Sequence, residues 1–189
     1  ELRAVENARQ LDTQVERMDD IVRYQLKRAA MSGGTSLGNA PIQVNAALEP
    51  LRTTLRKVYT NKDLSIEFSI DANAYFSGDQ GDLMEIAGNL LDNACKWCRQ
   101  QVKLSAQPLI TPGMRREGLV LSVDDDGPGI NPSERVHVLE RGARLDERVT
   151  GQGIGLSVVQ ELAALSGGSI EIDQSSLGGA RVTVRLPAA

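Results

Sequence analysis

Apolar residues recur mostly every three or four positions at the start of the chain: Leu2, Val5, Leu11, Val15, Met18, Val22, Leu26 and Ala29. No Pro or Gly falls within residues 1 to 31. This seam predicts one helix of about 45 Å at 1.5 Å per residue. Its stripe is narrow enough for a bundle or a dimer, and a helix lying on its own domain is the alternative. Ser32-Gly33-Gly34 ends the pattern, and a Gly/Ser/Thr/Asn-rich stretch follows to residue 40. The chain therefore divides into a helix over 1–32, a linker over 33–40 and a body over 41–189. Left uncovered, this apolar seam predicts concentration-dependent self-association through residues 1 to 31.

In the body the period switches between two and 3.6. Ile42 to Val44 predicts a short strand. Asn45 can cap a helix with the stripe Leu48, Leu51, Leu55 and Val58, Pro50 lying near its first turn. Leu64 to Ile70 alternates as a half-buried strand, and Tyr75-Phe76 lead into a turn at Ser77-Gly78. A helix then runs from an Asp79 cap, with Asp82 in the first turn, to about Gln100. Its apolar back is Leu83, Ile86, Ala87, Leu90, Leu91, Ala94 and Cys98. Its polar front is Glu85, Asn89, Asn93 and Lys96, within an arc of about 80°. Strands at Val102–Ala106 and Leu119–Val123 flank a loop over 107–117. Pro132 and Ser133 open a short helix, and residues 139 to 152 form a charged loop with no stable period. A last helix opens at Gly153-Ile154-Gly155-Leu156, carries Val158, Val159, Leu162, Ala163 and Leu165, and closes at Gly167-Gly168. Strands at Ser169–Ile172 and Val182–Leu186 flank a turn at Leu177-Gly178-Gly179-Ala180. Hairpin-like pairs make the sheet mostly antiparallel. With three substantial helices, the expected fold is a two-layer α/β sandwich.

Composition narrows the classes. Of 189 residues, 41% are hydrophobic and 24% charged, ordinary for a globular domain, and the 3% of aromatics require an aliphatic core. A net charge of −4 argues against nucleic acid as a partner. No apolar run approaches the roughly 18 residues of a membrane span, and no signal-peptide pattern opens the chain. The chain begins at Glu1, as a piece of a longer protein would. Cys95 and Cys98 are the two cysteines, mid-helix and without a second pair, which fits packed thiols in a reducing compartment better than zinc or redox chemistry.

Three stretches carry candidate chemistry. On the helix front, two amides can hold a hydrated cation through their oxygens, an acid beside them can act as a base, and a lysine can meet a phosphate. That set suits a metal-bound polyphosphate, and an ordinary solvated face is the alternative. Gly151-Gln152-Gly153-Ile154-Gly155 stands before a helix, where close backbone approach and free N–H groups favour an anion, although such glycines also serve plain turns. Asp125-Asp126-Gly127-Pro128-Gly129 offers a carboxylate to an exocyclic amine, or is simply a turn.

Taken in this order, the three resemble the ATP-binding domain of sensor histidine kinases, within the superfamily that includes gyrase, Hsp90 and MutL. Asn89-Leu-Leu-Asp-Asn93-Ala-Cys-Lys96 resembles the N box, Asp125-Asp-Gly127-Pro-Gly129 the first glycine box and Gly151-Gln-Gly153-Ile-Gly155-Leu156 the second. Gly178-Gly179-Ala180 resembles the third glycine element. The resemblance spans about residues 40 to 187 and is nearest to the PhoQ branch. It implies Mg²⁺ on Asn89, with Asn93 close by, and Glu85 as the acid that assists proton removal. It implies Lys96 on phosphate, Trp97 beside the nucleotide, Asp125 on the adenine amine, and Gly127, Gly129 and Ile130 shaping that pocket. Residues 139 to 152 become the ATP lid, with Arg141 and Arg144 reaching phosphates and Gln152 near the metal or γ-phosphate. Gly151, Gly153, Gly155 and Leu156 complete the nucleotide contacts. Where the family carries Phe before the lid, this chain has Val138-Leu139.

By the same resemblance, ATP and Mg²⁺ are the cofactors. A second copy of the chain and a response regulator are the partners, and the parent is an inner-membrane sensor with this part cytoplasmic. The phosphoacceptor helix with its His-Glu/Asp signature is absent, and residues 1–32 resemble only the second helix of the dimerisation hairpin. His137, the sole histidine, is expected to be structural or superficial. A nucleotide-gated interaction domain without catalysis, or a serine kinase or ATPase of the superfamily, is the competing expectation.

Overall fold

A computed structural model describes residues 40–110, 117–140 and 154–188. The expected N-terminal helix and the linker up to residue 39 lie outside the described residues. Strand β1 (Ile42–Gln43) leads directly into helix α1 (Val44–Val58). Strands β2 (Ser65–Ile70) and β3 (Tyr75–Phe76) come before helix α2 (Gln80–Trp97). Strands β4 (Gln101–Leu109) and β5 (Gly118–Asp125) follow, then a single 3₁₀ turn at His137–Leu139. Helix α3 (Gly155–Leu165) and strands β6 (Ser169–Gln174) and β7 (Ala180–Leu186) complete the order.

Five strands form one mixed sheet in the order β2-β4-β5-β7-β6, and β1 and β3 pair in a small ribbon. Only β2 and β4 run parallel; β4–β5, β5–β7 and β6–β7 are antiparallel. The helices cover one face of the sheet, so the expected two-layer sandwich is the observed one. Its core is aliphatic. Leu83, Ile86, Leu90 and Leu91 of α2 meet Leu104, Leu119, Leu121, Val159 and Val184 in one buried cluster. Each fully buried aliphatic side chain contributes about 2 kcal/mol relative to exposure. Leu119, Leu121, Val123 and Asp125 share one face of β5, and this brings Asp125 to the rim of the helix-covered face.

Helix ends follow their local chemistry. Asp79 accepts a hydrogen bond from Gly81 N at 2.8 Å, the expected cap on α2. Past α3, Gly167 at φ +66° and Gly168 return their N–H groups to Ala164 O and Ala163 O, a Schellman closure. Three expectations are corrected. Asn45 is not a cap: Val44 N bonds Ala74 O, just before the ribbon strand, and α1 starts two residues earlier than an Asn45 cap implies and holds Pro50 in its interior. The segment after Pro132 makes turns and the 3₁₀ element rather than a helix. Strands β4 and β5 are longer than the expected Val102–Ala106 and Leu119–Val123, because pairing from Val102↔Asp125 to Leu109↔Gly118 carries Pro108 and both Asp124 and Asp125 into the ladder.

Candidate functional site

The site lies where the C-terminal end of β5, the polar front of α2, the first turn of α3 and the β6–β7 turn converge. Asp125 is the last residue of β5 and is 5% exposed. Its Oδ1 accepts hydrogen bonds from Gly127 N at 2.8 Å and Ala180 N at 3.2 Å, and its carbonyl accepts one from Gly179 N at 3.1 Å. All its side-chain hydrogen bonds among the described residues fall on Oδ1, which leaves Oδ2 to receive a donor from outside. Burial pushes the Asp125 carboxyl above the usual range, and the two backbone donors oppose that rise.

The glycines here serve close approach. A β-carbon on Gly127 would stand 2.9 Å from Asp125 Oδ1 and 3.1 Å from the Trp97 carbonyl carbon, while one on Gly179 would run into Asp125 and Gly127. The first and third glycine elements thus interlock around one carboxylate, against the end of α2. Gly129, at φ +76°, packs beside Gly179, and Ile130 lies half-buried against the core.

Glu85, Asn89, Asn93 and Lys96 all lie half-buried on the front of α2. Asn89 Nδ2 donates to Glu85 O at 2.8 Å, which commits the nitrogen to the helix and turns Oδ1 toward α3. A β-carbon on Gly155 would stand 3.1 Å from that oxygen. The N box and the last glycine of the second box are therefore one rim. Leu156 packs on the core and Ser157 Oγ donates to Ile154 O. The Lys96 ammonium rests on Asp92 Oδ2 at 2.6 Å.

The resemblance also assigned roles to Arg141, Arg144, Gly151, Gln152 and Gly153, which lie outside the described residues, as does most of the expected lid. Val138 is buried and Leu139 packs beside it. His137 is a surface residue whose Nδ1 is 2.9 Å from Glu140 Oε2. Cys95 and Cys98 are free and buried, as expected of packed thiols. Burial pushes Cys95 up to about 12, far from a reactive thiolate.

Among the described residues no group of three or more His, Cys, Asp or Glu side chains could hold a metal ion. A cation at this rim would instead take amide oxygen from Asn89 and phosphate oxygens from a ligand. Such a hard-oxygen set with few protein donors is the one Mg²⁺ accepts.

Residues 78–189 match the model of the histidine kinase-, DNA gyrase B- and HSP90-like ATPase family. The chain belongs to this family. It is 40% identical over 171 residues to the sensor protein PhoQ of Escherichia coli strain K12, and 39% identical over 181 residues to the sensor protein kinase CarS of Pseudomonas aeruginosa. Both alignments cover 90% of this chain but only 34% and 39% of those proteins, so it spans little more than a third of their length. In three dimensions it resembles the ATP-binding domain of PrrB from Mycobacterium tuberculosis, with a TM-score of 0.62 at 27% identity, over 80% of this chain and 98% of that one. The fold of this family member thus agrees with the sensor-kinase resemblance.

Sequence reasoning missed two parts of the site. One is the role of Gly179 N and Ala180 N in holding Asp125, for which Gly178-Gly179-Ala180 was a signal without an address. The other is Tyr59, whose hydroxyl donates to Asp92 Oδ1 at 2.6 Å, next to Lys96. No period links residues 33 positions apart. No helix of the described residues is long and apolar enough to cross a membrane.

Proposed function

We propose that this chain is the Mg-ATP-binding kinase module of a PhoQ-type sensor protein, one that donates the γ-phosphoryl of ATP to a histidine other than His137, for onward transfer to a response regulator. The observation that carries the reading is Asp125, buried and held at Oδ1 by two backbone N–H groups, with Oδ2 left to accept the adenine amine. An acceptor buried beside glycines selects a flat ring edge that carries a donor, and it rejects a ring edge that presents a carbonyl.

The remaining roles follow from position. Gly127, Gly129 and Ile130 line the base pocket, with Trp97 at its α2 side. Asn89, with Asn93 one turn on, would hold Mg²⁺, which neutralises phosphate charge when bound. Gln152 would stand near that metal, and Lys96 with Arg141 and Arg144 would meet the phosphates. Gly151, Gly153, Gly155 and Leu156 bring backbone to them. Glu85, three turns before Lys96 on the same front, assists removal of the acceptor's proton. Positioning and charge neutralisation supply most of the catalysis in phosphoryl transfer of this kind. The long N-terminal seam suits the second helix of a dimerisation hairpin, so a second copy of the chain is the expected partner. The parent protein would be anchored in an inner membrane with this module on the cytoplasmic side.

Calorimetric titration with a non-hydrolysable ATP analogue, with and without Mg²⁺, tests the site. Binding that responds to Mg²⁺ and is lost in Asp125→Ala supports it, and no binding by the folded chain rejects it. Adding a protein that carries the phosphoacceptor helix then separates the activities. Acid-labile, base-stable phosphate marks phosphohistidine, whereas acid-stable phosphate marks a serine kinase.

A further inference from the structure

Three side chains, one from the end of α1 and two from α2, form a chain of short contacts at the edge of the site. Tyr59, directly after α1, donates its hydroxyl to Asp92 Oδ1 at 2.6 Å, and Asp92 Oδ2 meets Lys96 Nζ at 2.6 Å. A fourth side chain braces the same spot from the same turn. Lys62 Nζ donates to Cys95 O at 2.9 Å and Lys96 O at 3.1 Å, covering the carbonyls at the end of α2. Asp92 is one helical turn before Lys96 and just off the row of Glu85, Asn89 and Asn93. Its carboxylate therefore flanks that front.

From this geometry we infer that Asp92 and Tyr59 are positioning residues for nucleotide binding, which set how the Lys96 ammonium is shared between its own helix and the phosphates of the ligand. The inference rests on the ATP reading above. A lysine with a flexible four-carbon stem does not hold one direction unaided. Asp92 parks it at the edge of the front and competes with phosphate for it. Tyr59 fixes the Asp92 carboxylate and disperses its charge by donating to the other oxygen, so that the carboxylate neither follows Lys96 outward nor grips it fully. Lys62 anchors the backbone from which Lys96 projects. The pair Asp92–Lys96 is half-exposed at both ends, so the exchange of one anion for another is inexpensive.

Opposite effects are expected from the two residues. Asp92→Asn frees Lys96 and tightens binding of the ATP analogue by roughly threefold or more, the scale of coupling between side chains in contact. Tyr59→Phe keeps the ring but removes the donor, which leaves Asp92 to hold Lys96 harder and weakens the analogue by a similar factor. Both changes vanish in a Lys96→Met background, and neither alters the binding of adenosine, which has no phosphate. A general effect of charge would persist without Lys96, and a merely structural role would move adenosine too.

The test is calorimetry of the analogue and of adenosine on the chain, its Asp92→Asn, Tyr59→Phe and Lys96→Met variants and the two doubles. Coupling through Lys96 confined to the phosphate-bearing ligand is the expected result. Analogue binding by the unaltered chain with no such coupling overturns this inference alone. No analogue binding by the unaltered chain overturns it together with the reading it rests on.

Discussion

Asn89 Oδ1 and Gly155 face each other so closely that a single added carbon on the glycine would stand 3.1 Å from the oxygen. This contact joins the amide row of α2 to the start of α3. Gly155→Ala is expected to push the amide aside by a few tenths of an ångström and to weaken Mg²⁺-dependent binding of the ATP analogue by roughly tenfold, about 1.4 kcal/mol. Because alanine is favoured at the start of a helix, stability should change by no more than about 1 kcal/mol. Calorimetry with and without Mg²⁺, beside thermal unfolding, separates the two effects.

Asp125 and its neighbour Asp126 are shifted in opposite directions. For Asp125, burial raises the carboxyl and outweighs the Gly127 and Ala180 donors. A raised pKa means that its contribution to stability is fully present below the unfolded value of about 3.9 and is lost as pH rises through the folded value. Asp125→Asn should therefore raise the melting temperature at pH 7, and the gain should shrink toward pH 3. The same variant would present an –NH₂ group to the adenine amine, two donors facing each other, and should lose analogue binding by about 2 kcal/mol or more. Melting curves across pH, paired with titration at pH 7, check both halves.

Burial also raises Asp126 by the largest single amount, but hydrogen bonds from the Gln101, Gln100 and Arg99 backbone together hold it below the usual carboxylate range. Its oxygens accept from Arg99 N at 2.8 Å and Gln100 N at 3.1 Å, closing the turn between α2 and β4. The sign is the reverse of its neighbour's. The contribution is present above about pH 3.9 and lost as pH falls through the lowered folded value. Asp126→Ala should cost about 1 kcal/mol at pH 7, the net worth of such bonds at a partly solvated site, and less near pH 3. Denaturant unfolding at the two pH values reads this directly.

His137→Gln should leave analogue binding unchanged and shift stability by less than about 0.5 kcal/mol, because the imidazole is exposed and, among the described residues, meets only Glu140. Incubation with labelled ATP and a separate phosphoacceptor helix should place label on the added helix and none on His137. Label at His137 would contradict the surface role.

Most of this was legible in the order of residues, and the failures share a cause. The back of α2 follows from its period, and every residue assigned to it is buried. Asp79 was legible because a cap bonds within its own turn. Asn45 had the same chemistry but lost the position, since Ala74 O, 30 residues on, supplied the acceptor for Val44 N. Pro108 marked a loop on local grounds, yet pairing with Leu119 across the hairpin kept it in the strand. The glycine motifs point to the candidate rim because their spacing is local. Tyr59–Asp92 and the grip of Gly179 on Asp125 join distant segments, and only the folded register brings them together.

The parallel alignment of β2 with β4 places an unusual demand on α2. Two strands running the same way must be joined by a long return, and α2 is the greater part of that return from Ile70 to Gln101. The segment bearing the amide row is thus also a structural strut of the sheet edge. Excising it would leave β2 unable to reach its neighbour, so the fold cannot persist as a shell emptied of its candidate site. Drift away from ATP in descendants of this chain must proceed by exchange of single side chains on an intact helix.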